Sequence, residues 1–154
     1  MRYFNVYGPR QNPEGAYANQ ISKFMKSYAV GTQPTIFGDG KQTRDYVYVG
    51  DVVRANLLAF QSNKIGSYNV GTGKETNTLQ VFRKLKKLTG AKVKEVHGAP
   101  PGQEKKNAAA VAGEQTRSAL DYSKIRREFG WKPGADLDIG LSKTVEWFRK
   151  HINI

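Results

Sequence analysis

The sequence has 154 residues and no cysteine, which excludes disulfide bonds and thiolate chemistry. Its hydrophobic fraction of 38% and aromatic fraction of 11% exclude a globally disordered chain and predict a single domain over residues 1–154. No apolar run approaches the roughly 18 residues of a membrane span, and no secretion signal opens the chain. We therefore expect a cytoplasmic protein with no membrane partner and no metal site.

The net charge of +12, from 25 Lys and Arg against 13 Asp and Glu, favours anionic partners such as phosphates. Much of the excess lies between residues 83 and 94, where a solvated helix face is a simpler explanation than a nucleic-acid patch. No recognition helix, aromatic RNA-binding motif or zinc-ligand set accompanies the charge, so we do not expect nucleic acid to be the partner.

Hydrophobic periodicity, together with glycine, proline and cap residues, predicts short strands alternating with helices. Strands are predicted at residues 1–6, 35–37, 44–48, 67–70 and 93–96. Helices are predicted at about 16–30, 51–61 and 77–90, within 118–129 and from 138 onward. Residues 100–112 show neither period and are interpreted as a loop or an insertion. The sum is an α+β domain of short strands and about five helices.

Apolar side chains at helical spacing predict which face of each helix is buried. Asn77 with Gln80 also predicts a capping box for the third helix, and Gly90 its end. The expected core positions of the last four helices are, in chain order, Val53, Leu57, Phe60, Leu79, Phe82, Leu85, Leu88, Ile125, Phe129, Leu141, Val145 and Phe148.

The stretch from residue 37 to 55, FGDGKQTRDYVYVGDVVRA, combines a glycine turn, an alternating segment, a second turn and an amphipathic segment. These elements place Arg44 at the edge of a strand, beside a cleft. Arginine is the side chain best suited to bind a phosphate through two parallel hydrogen bonds, so Arg44 is a candidate anion-binding residue. The alternative is a structural ion pair with Asp45 or Asp51, which we otherwise interpret as turn and helix-start residues.

This stretch is one of four motifs that occur in the same order as in a known protein family. The others are RYFNVYGPRQ at 2–11, YNVGTG at 68–73 and FGWKP at 129–133. Together they resemble the NAD-dependent nucleotide-sugar epimerases and dehydratases, the extended short-chain dehydrogenases, and within them the prokaryotic UDP-glucose 4-epimerase group. The resemblance covers nearly the whole chain except for about 102–112, which we interpret as an insertion.

The resemblance extends only to the substrate-binding half of that family. The sequence contains no G-x-G-x-x-G motif for a dinucleotide pyrophosphate and no Tyr-x-x-x-Lys catalytic pair. We therefore expect the family's NAD not to bind to this chain alone. We also expect the partner to be a dinucleotide-binding (Rossmann) half, or a second copy of the chain, that covers an exposed face.

The family's contacts can be transferred where the motifs match. The resemblance implies that Arg44 pairs with the nucleotide diphosphate and that Asn5 contacts the substrate. It places Phe4 near the nicotinamide. Asn5 has a second interpretation, a side-chain amide that caps its own turn.

A second group of contacts is implied for the nucleotide. Phe37 matches the position whose ring packs on the base, with Thr35 and Ile36 offering backbone groups beside it, although a Phe at a strand end also fits a core role. Asn19 and Gln20, at the start of the first helix, match the segment that meets the diphosphate.

One element departs from the family pattern. Members of the family have the motif Arg-x-Gly-Asp/Glu. Its Arg contacts a phosphate, and its acid contacts the ribose hydroxyls. In one alignment Glu114 matches the acid and Val111 stands at the Arg position. A competing alignment over residues 101–104 has no Arg either, and this departure weakens the expectation of a ribose contact by Glu114.

Two functional hypotheses follow from these patterns. The first is the substrate-binding part of an NAD-dependent UDP-sugar 4-epimerase, not catalytic by itself. The second is a non-catalytic interaction module that self-associates or binds anionic partners through its basic surface.

Overall fold

The computed structural model describes residues 1–15, 18–99 and 116–152. The strands are short: β1 (Arg2–Tyr3), β2 (Asn5–Tyr7), β3 (Ile36–Phe37), β4 (Thr43–Arg44), β5 (Tyr46–Tyr48), β6 (Asn69–Val70), β7 (Thr76–Asn77) and β8 (His97–Gly98). The helices are α1 (Gln20–Ala29), α2 (Val49–Phe60), α3 (Thr78–Thr89), α4 (Ser123–Phe129) and α5 (Leu137–Ile152). The α+β class is confirmed, with five helices among the described residues.

The strands pair across long sequence separations. β1 pairs with β6, β2 with β5 and β3 with β8, all parallel, whereas β4 and β7 are antiparallel. The register places Asn5 opposite Tyr46 and Arg44 opposite Thr76. These pairings bring the FNVYG and TRDY motifs side by side.

Three strand predictions are corrected by the pairing. The first predicted strand is divided at Phe4 into β1 and β2, which have different partners. The predicted segment 44–48 is likewise divided at Asp45. The strand predicted at 93–96 lies at His97–Gly98 instead, because only this part of the chain comes into register with β3.

Helix α3 forms where its local sequence predicts it. The Asn77 side chain accepts the Gln80 backbone N–H at 2.8 Å, and the Gln80 side chain accepts the Asn77 backbone N–H at 2.9 Å. The helix ends at Gly90, whose φ of 74° is left-handed and suits glycine. The predicted capping box and helix end are confirmed.

Helix α1 begins later than predicted. Residues 16 and 17, in the predicted first turn, lie outside the described residues, and the helix starts at Gln20. The start is set by Asn19, whose side-chain oxygen accepts the backbone N–H groups of Ile21 and Ser22. An N-cap of this kind satisfies donors that have no partner within the helix.

Helix α2 corrects the predicted buried face. Val53, Leu57 and Phe60 were expected in the core, yet their exposed fractions are 52%, 56% and 91%. The buried positions are Asp51, Val52 and Ala55. The helix carries apolar residues on two faces, and periodicity alone does not say which of the two meets the core.

Buried side chains form two clusters. The first core lies between α1, α3 and α5, and contains Tyr7, Ile21, Phe24, Met25, Tyr28, Ile36, Tyr46, Val81, Phe82, Leu85, Leu141, Val145 and Phe148. The second core lies beneath α2 and α4, and contains Val47, Val52, Ala55, Tyr68, Val70, Ile125 and Trp131. Leu79, Leu88 and Phe129 pack against these clusters while partly buried. Within the described ranges, no helix is long and apolar enough to cross a membrane.

Candidate functional site

A first hollow of about 560 Å³ opens beside β2 and the start of α1. It contains three of the predicted site residues, Phe4, Asn5 and Asn19, all half-buried. The residues that line it are Tyr3, Phe4, Asn5, Val6, Gln11, Ala18 and Asn19. Strand β2 and the α1 cap, not a loop, therefore position the predicted substrate contacts.

Asn5 does not cap its own turn. Its Nδ2 donates to the backbone carbonyl of Asp45 at 3.1 Å, so the amide links β2 to the junction between β4 and β5. This bond fixes the plane of the amide at the wall of the first hollow. The amide oxygen is then the atom of Asn5 suited to accept a ligand hydroxyl.

Asn19 and Gln11 share one acceptor. Asn19 Nδ2 donates to the Val6 carbonyl at 2.8 Å, and Gln11 Nε2 donates to the same carbonyl at 3.1 Å. Gln11 Oε1 is buried and has no hydrogen-bond partner among the described residues. Gln11 was not predicted as a site residue, although it closes the motif RYFNVYGPRQ, which pointed to this segment.

A second hollow of about 380 Å³ lies on the other side of the α1 N-terminus. It brings together three further predicted residues: Gln20, Thr35 and Phe37. Its lining is Gln20, Lys23, Phe24, Ser27, Gln33, Pro34, Thr35, Phe37 and Ala99. Phe37 is half-buried, and its ring offers an apolar face for a flat ligand.

Ile36 lies in the core and not in the hollow. Its side chain is fully buried, and its backbone N–H donates to the Val96 carbonyl at 2.8 Å. The backbone N–H of Ile36 is therefore engaged where β3 pairs with β8, and it does not point to a ligand. Lys23, one turn into α1, supplies an exposed cation that the sequence prediction did not select.

Gln20 is held by two hydroxyl groups. Its Oε1 accepts Tyr46 Oη–H at 3.2 Å and Thr78 Oγ1–H at 2.7 Å. Burial raises the pKa of Tyr46 to about 12, against the opposing influence of the Arg44 cation, so this phenol stays protonated and donates. With its oxygen engaged, Gln20 retains the Nε2 N–H groups as donors, which suit phosphate or carbonyl oxygens.

The N-terminus of α1 separates the two hollows, because Asn19 lines the first and Gln20 the second. The positive end of the helix dipole and the Lys23 cation both favour an anion at this place. A bound molecule with an anionic centre and a polar or aromatic group on either side would match the arrangement.

Arg44 lines neither hollow. It lies on β4 opposite Thr76, is half-buried, and donates from Nη1 to the Thr43 carbonyl at 2.8 Å. Glu114, Val111 and the predicted insertion at 102–112 lie outside the described residues.

The backbone of the glycine turn at residues 71–73 binds the side-chain carboxylate of Asp45. The backbone N–H groups of Thr72 and Gly73 donate to the Asp45 carboxylate at 2.8 and 2.9 Å. These two N–H groups of the turn are therefore engaged by a carboxylate of the chain. Asp45, predicted as a turn residue, is instead a buried acceptor.

Comparisons with known proteins point to one family. The family model described as GDP-mannose 4,6 dehydratase matches residues 1–144. The UDP-glucose 4-epimerase of Mycolicibacterium smegmatis is 41% identical over 147 residues, which are 94% of this chain and 43% of the relative.

Solved structures agree with this result. The Thermotoga maritima UDP-glucose 4-epimerase, solved with UDP-glucose, superposes with a TM-score of 0.83 at 43% identity, over 97% of this chain and 45% of that chain. The Thermus thermophilus UDP-glucose 4-epimerase, solved with NAD, gives 0.79 at 34% identity, over 98% and 46%. The chain thus spans less than half the length of the relatives it matches. The predicted family is confirmed: the chain belongs to the GDP-mannose 4,6 dehydratase family of NAD-dependent nucleotide-sugar epimerases and dehydratases, and it corresponds to their C-terminal half.

Proposed function

We propose that the chain binds the nucleotide diphosphate of a UDP-sugar, as the substrate-binding part of an NAD-dependent 4-epimerase. The observation that carries the proposal is the pair of hollows on either side of the α1 N-terminus. The lining residues predicted from sequence, Phe4, Asn5, Asn19, Gln20, Thr35 and Phe37, lie in these two hollows. The relative from Thermotoga maritima, solved with UDP-glucose, supports the choice of ligand.

The proposed ligand would place its diphosphate at the α1 N-terminus. There the helix dipole, the Gln20 amide and Lys23 favour negative charge. The base would pack on Phe37 in the second hollow, with Thr35 beside it. The sugar would lie in the first hollow against Asn5, and Phe4 would face the cofactor side. Arg44 and Glu114 remain proposed contacts of the diphosphate and the ribose.

The hydride transfer is assigned to a separate part of the enzyme. NAD supplies the oxidation and reduction of the sugar when it is bound, and this chain positions the substrate. We expect no epimerase turnover from the chain by itself, since it contains neither the family's Tyr-x-x-x-Lys pair nor a pyrophosphate-binding glycine motif. Turnover of UDP-glucose without an added partner would contradict this assignment.

Calorimetric titration with UDP and with UDP-glucose at moderate salt tests the proposal. The wild type should bind both ligands saturably, and Arg44→Ala should weaken binding by at least about tenfold through loss of a charge-assisted contact. Arg127→Ala is the matched control, because Arg127 is 70% exposed on α4 and lines neither hollow. Absence of binding by the wild type would contradict the proposal.

A second candidate function is favoured by the outer face of α2, which carries Val53, Leu57 and Phe60. Exposed apolar side chains at helical spacing are typical of a surface that another polypeptide covers. The dinucleotide-binding half is one such partner, and a second copy of the chain is the other. Concentration-dependent association that Leu57→Glu abolishes, with no response to UDP, would favour this function over the first.

A further inference from the structure

Asp45 is fully buried, and its carboxylate joins three segments of the chain. Oδ1 accepts the Thr72 backbone N–H at 2.8 Å and the Thr72 hydroxyl at 2.5 Å. Oδ2 accepts the backbone N–H groups of Gly73 at 2.9 Å and Leu120 at 3.1 Å. The side chain therefore ties the β4–β5 junction to the turn after β6 and to the segment that leads into α4.

The main chain of Asp45 is equally engaged. Its carbonyl accepts the Asn5 side-chain amide at 3.1 Å, and Arg44 is its immediate neighbour. Strands β4 and β5 contain only two and three residues, so ladder hydrogen bonds alone hold this junction weakly. A buried carboxylate with four donor groups fixes the junction from the side opposite to Asn5.

We propose that Asp45 is a positioning residue for the nucleotide-sugar site: its carboxylate fixes the β4–β5 junction, and the main chain so held orients the Asn5 amide and the base of the Arg44 side chain. This inference rests on the proposed function, because it concerns how that site is held. It assigns to Asp45 no contact with the ligand.

Asp51 provides a matched comparison. It is also buried, with 3% of its surface exposed, and its carboxylate accepts the backbone N–H groups of Gly134 at 2.9 Å and Ala135 at 3.0 Å. It therefore makes the same kind of tie at the second core, and it lines neither hollow. If both residues are purely structural, their substitution should affect UDP binding to a similar extent. If Asp45 positions the site, its substitution should weaken UDP binding more than substitution of Asp51.

The test compares Asp45→Asn with Asp51→Asn. In each variant one side-chain acceptor becomes an NH₂ group that faces backbone donors, so both should lower the melting temperature. At a temperature where circular dichroism shows both folded, Asp45→Asn should bind UDP at least about tenfold more weakly than wild type. Asp51→Asn should stay within about twofold.

A second readout does not depend on the ligand. The Asn5 side-chain NH₂ resonances, assigned by their loss in Asn5→Ala, should shift in Asp45→Asn and stay in place in Asp51→Asn. If Asp45→Asn does not fold, Thr72→Val removes only the hydroxyl donor. It should then produce the same Asn5 shift and a smaller loss of UDP affinity.

The outcomes separate the two proposals. If the wild type does not bind UDP, the proposed function fails and the inference fails with it. If the wild type binds UDP but Asp45→Asn, or Thr72→Val in its place, binds equally well with unchanged Asn5 resonances, only the inference is overturned. Equal losses of affinity in Asp45→Asn and Asp51→Asn also overturn it, because they indicate general destabilisation.

Discussion

The first and second cores are covered to different degrees. The first core is enclosed by α1, α3 and α5, and Phe82 and Leu85 of α3 are buried as their spacing predicts. Above the second core, α2 buries Val52 and Ala55 but leaves Val53, Leu57 and Phe60 exposed. Both hollows depend on α1, which packs on the first core. The candidate site is thus built on the enclosed region, and the exposed apolar face of α2, which we propose a further polypeptide covers, lies on the open one.

The largest expected effect comes from removing an aromatic ring from the enclosed region. Phe82 is fully buried, with ring centroids 5.6 Å from Phe24 and 6.3 Å from Tyr28. Phe82→Ala should lower the free energy of unfolding by about 3–5 kcal/mol. Phe60→Ala, at 91% exposure on α2, should change it by less than about 0.5 kcal/mol. Urea unfolding measures both, and equal losses would contradict the division into an enclosed and an open region.

A smaller effect is expected where the second core is tied to the loop before α5. Asp51→Asn should cost about 1–3 kcal/mol, because one of the two backbone donors, Gly134 or Ala135, then faces an NH₂ group instead of an acceptor. Arg54→Met is the control: Arg54 is 46% exposed, pairs with Asp51 at 3.0 Å and also donates to the Lys132 carbonyl. Its removal should cost less than Asp51→Asn, because the Asp51 carboxylate then keeps both of its backbone donors. Thermal unfolding of the two variants would contradict this assignment if the Arg54 change proved the more damaging.

A pair of tyrosines in the first core should respond in opposite directions. Tyr46 Oη–H donates to Gln20, so Tyr46→Phe should cost about 0.5–1.5 kcal/mol. The Tyr28 hydroxyl is buried without a hydrogen-bond partner among the described residues. Tyr28→Phe should therefore be neutral or stabilising by up to about 1 kcal/mol. Chemical denaturation measures this difference, and a loss in Tyr28→Phe equal to that in Tyr46→Phe would show that the hydroxyl has a partner.

The smallest expected effect is a pH dependence beside β4. Hydrogen bonds from Arg117 and Thr43 lower the pKa of the Glu75 carboxyl below its ordinary 4.5. A carboxyl with a depressed folded pKa contributes stability above its unfolded pKa and loses it as pH falls through the folded value. The melting temperatures of wild type and Glu75→Gln should therefore differ near pH 7 and converge as the pH falls below 4.5 and through the lowered pKa of the folded state. A constant difference across that range would contradict the assignment, and Arg117→Gln should reproduce the convergence.

Local sequence predicted the elements whose ends are set by near neighbours. The capping box of α3 involves residues three apart, and Gly90 and Gly130 end their helices with left-handed φ angles of 74° and 66°. Leu141, Val145 and Phe148 are buried along α5 as their spacing predicts. Each of these signals lies within one or two turns of the chain, which is the range that periodicity and capping describe.

Features that depend on distant partners were not predictable in this way. The donors to Asp45 lie 27, 28 and 75 residues away, so the sequence indicated a turn residue where the structure has a buried carboxylate. The outward face of α2 was missed for a similar reason, since the packing of β5, β6 and α4 decides which stripe is covered. The family resemblance selected six of the sixteen residues that line the two hollows. Lys23 was not selected, because its place beside Thr35 and Phe37 follows only from the packing of α1 next to β3.

The most direct test is a titration of the ¹⁵N-labelled chain with UDP, followed by chemical-shift mapping. If the two hollows bind the nucleotide, the perturbed amides at saturation should cluster at Phe4–Val6, Asn19–Lys23 and Thr35–Phe37. The amides of Val53, Leu57 and Phe60 on α2 should keep their positions. Shifts confined to α2, or no shift at any of the three segments, would contradict the assignment of the nucleotide site to the hollows beside α1.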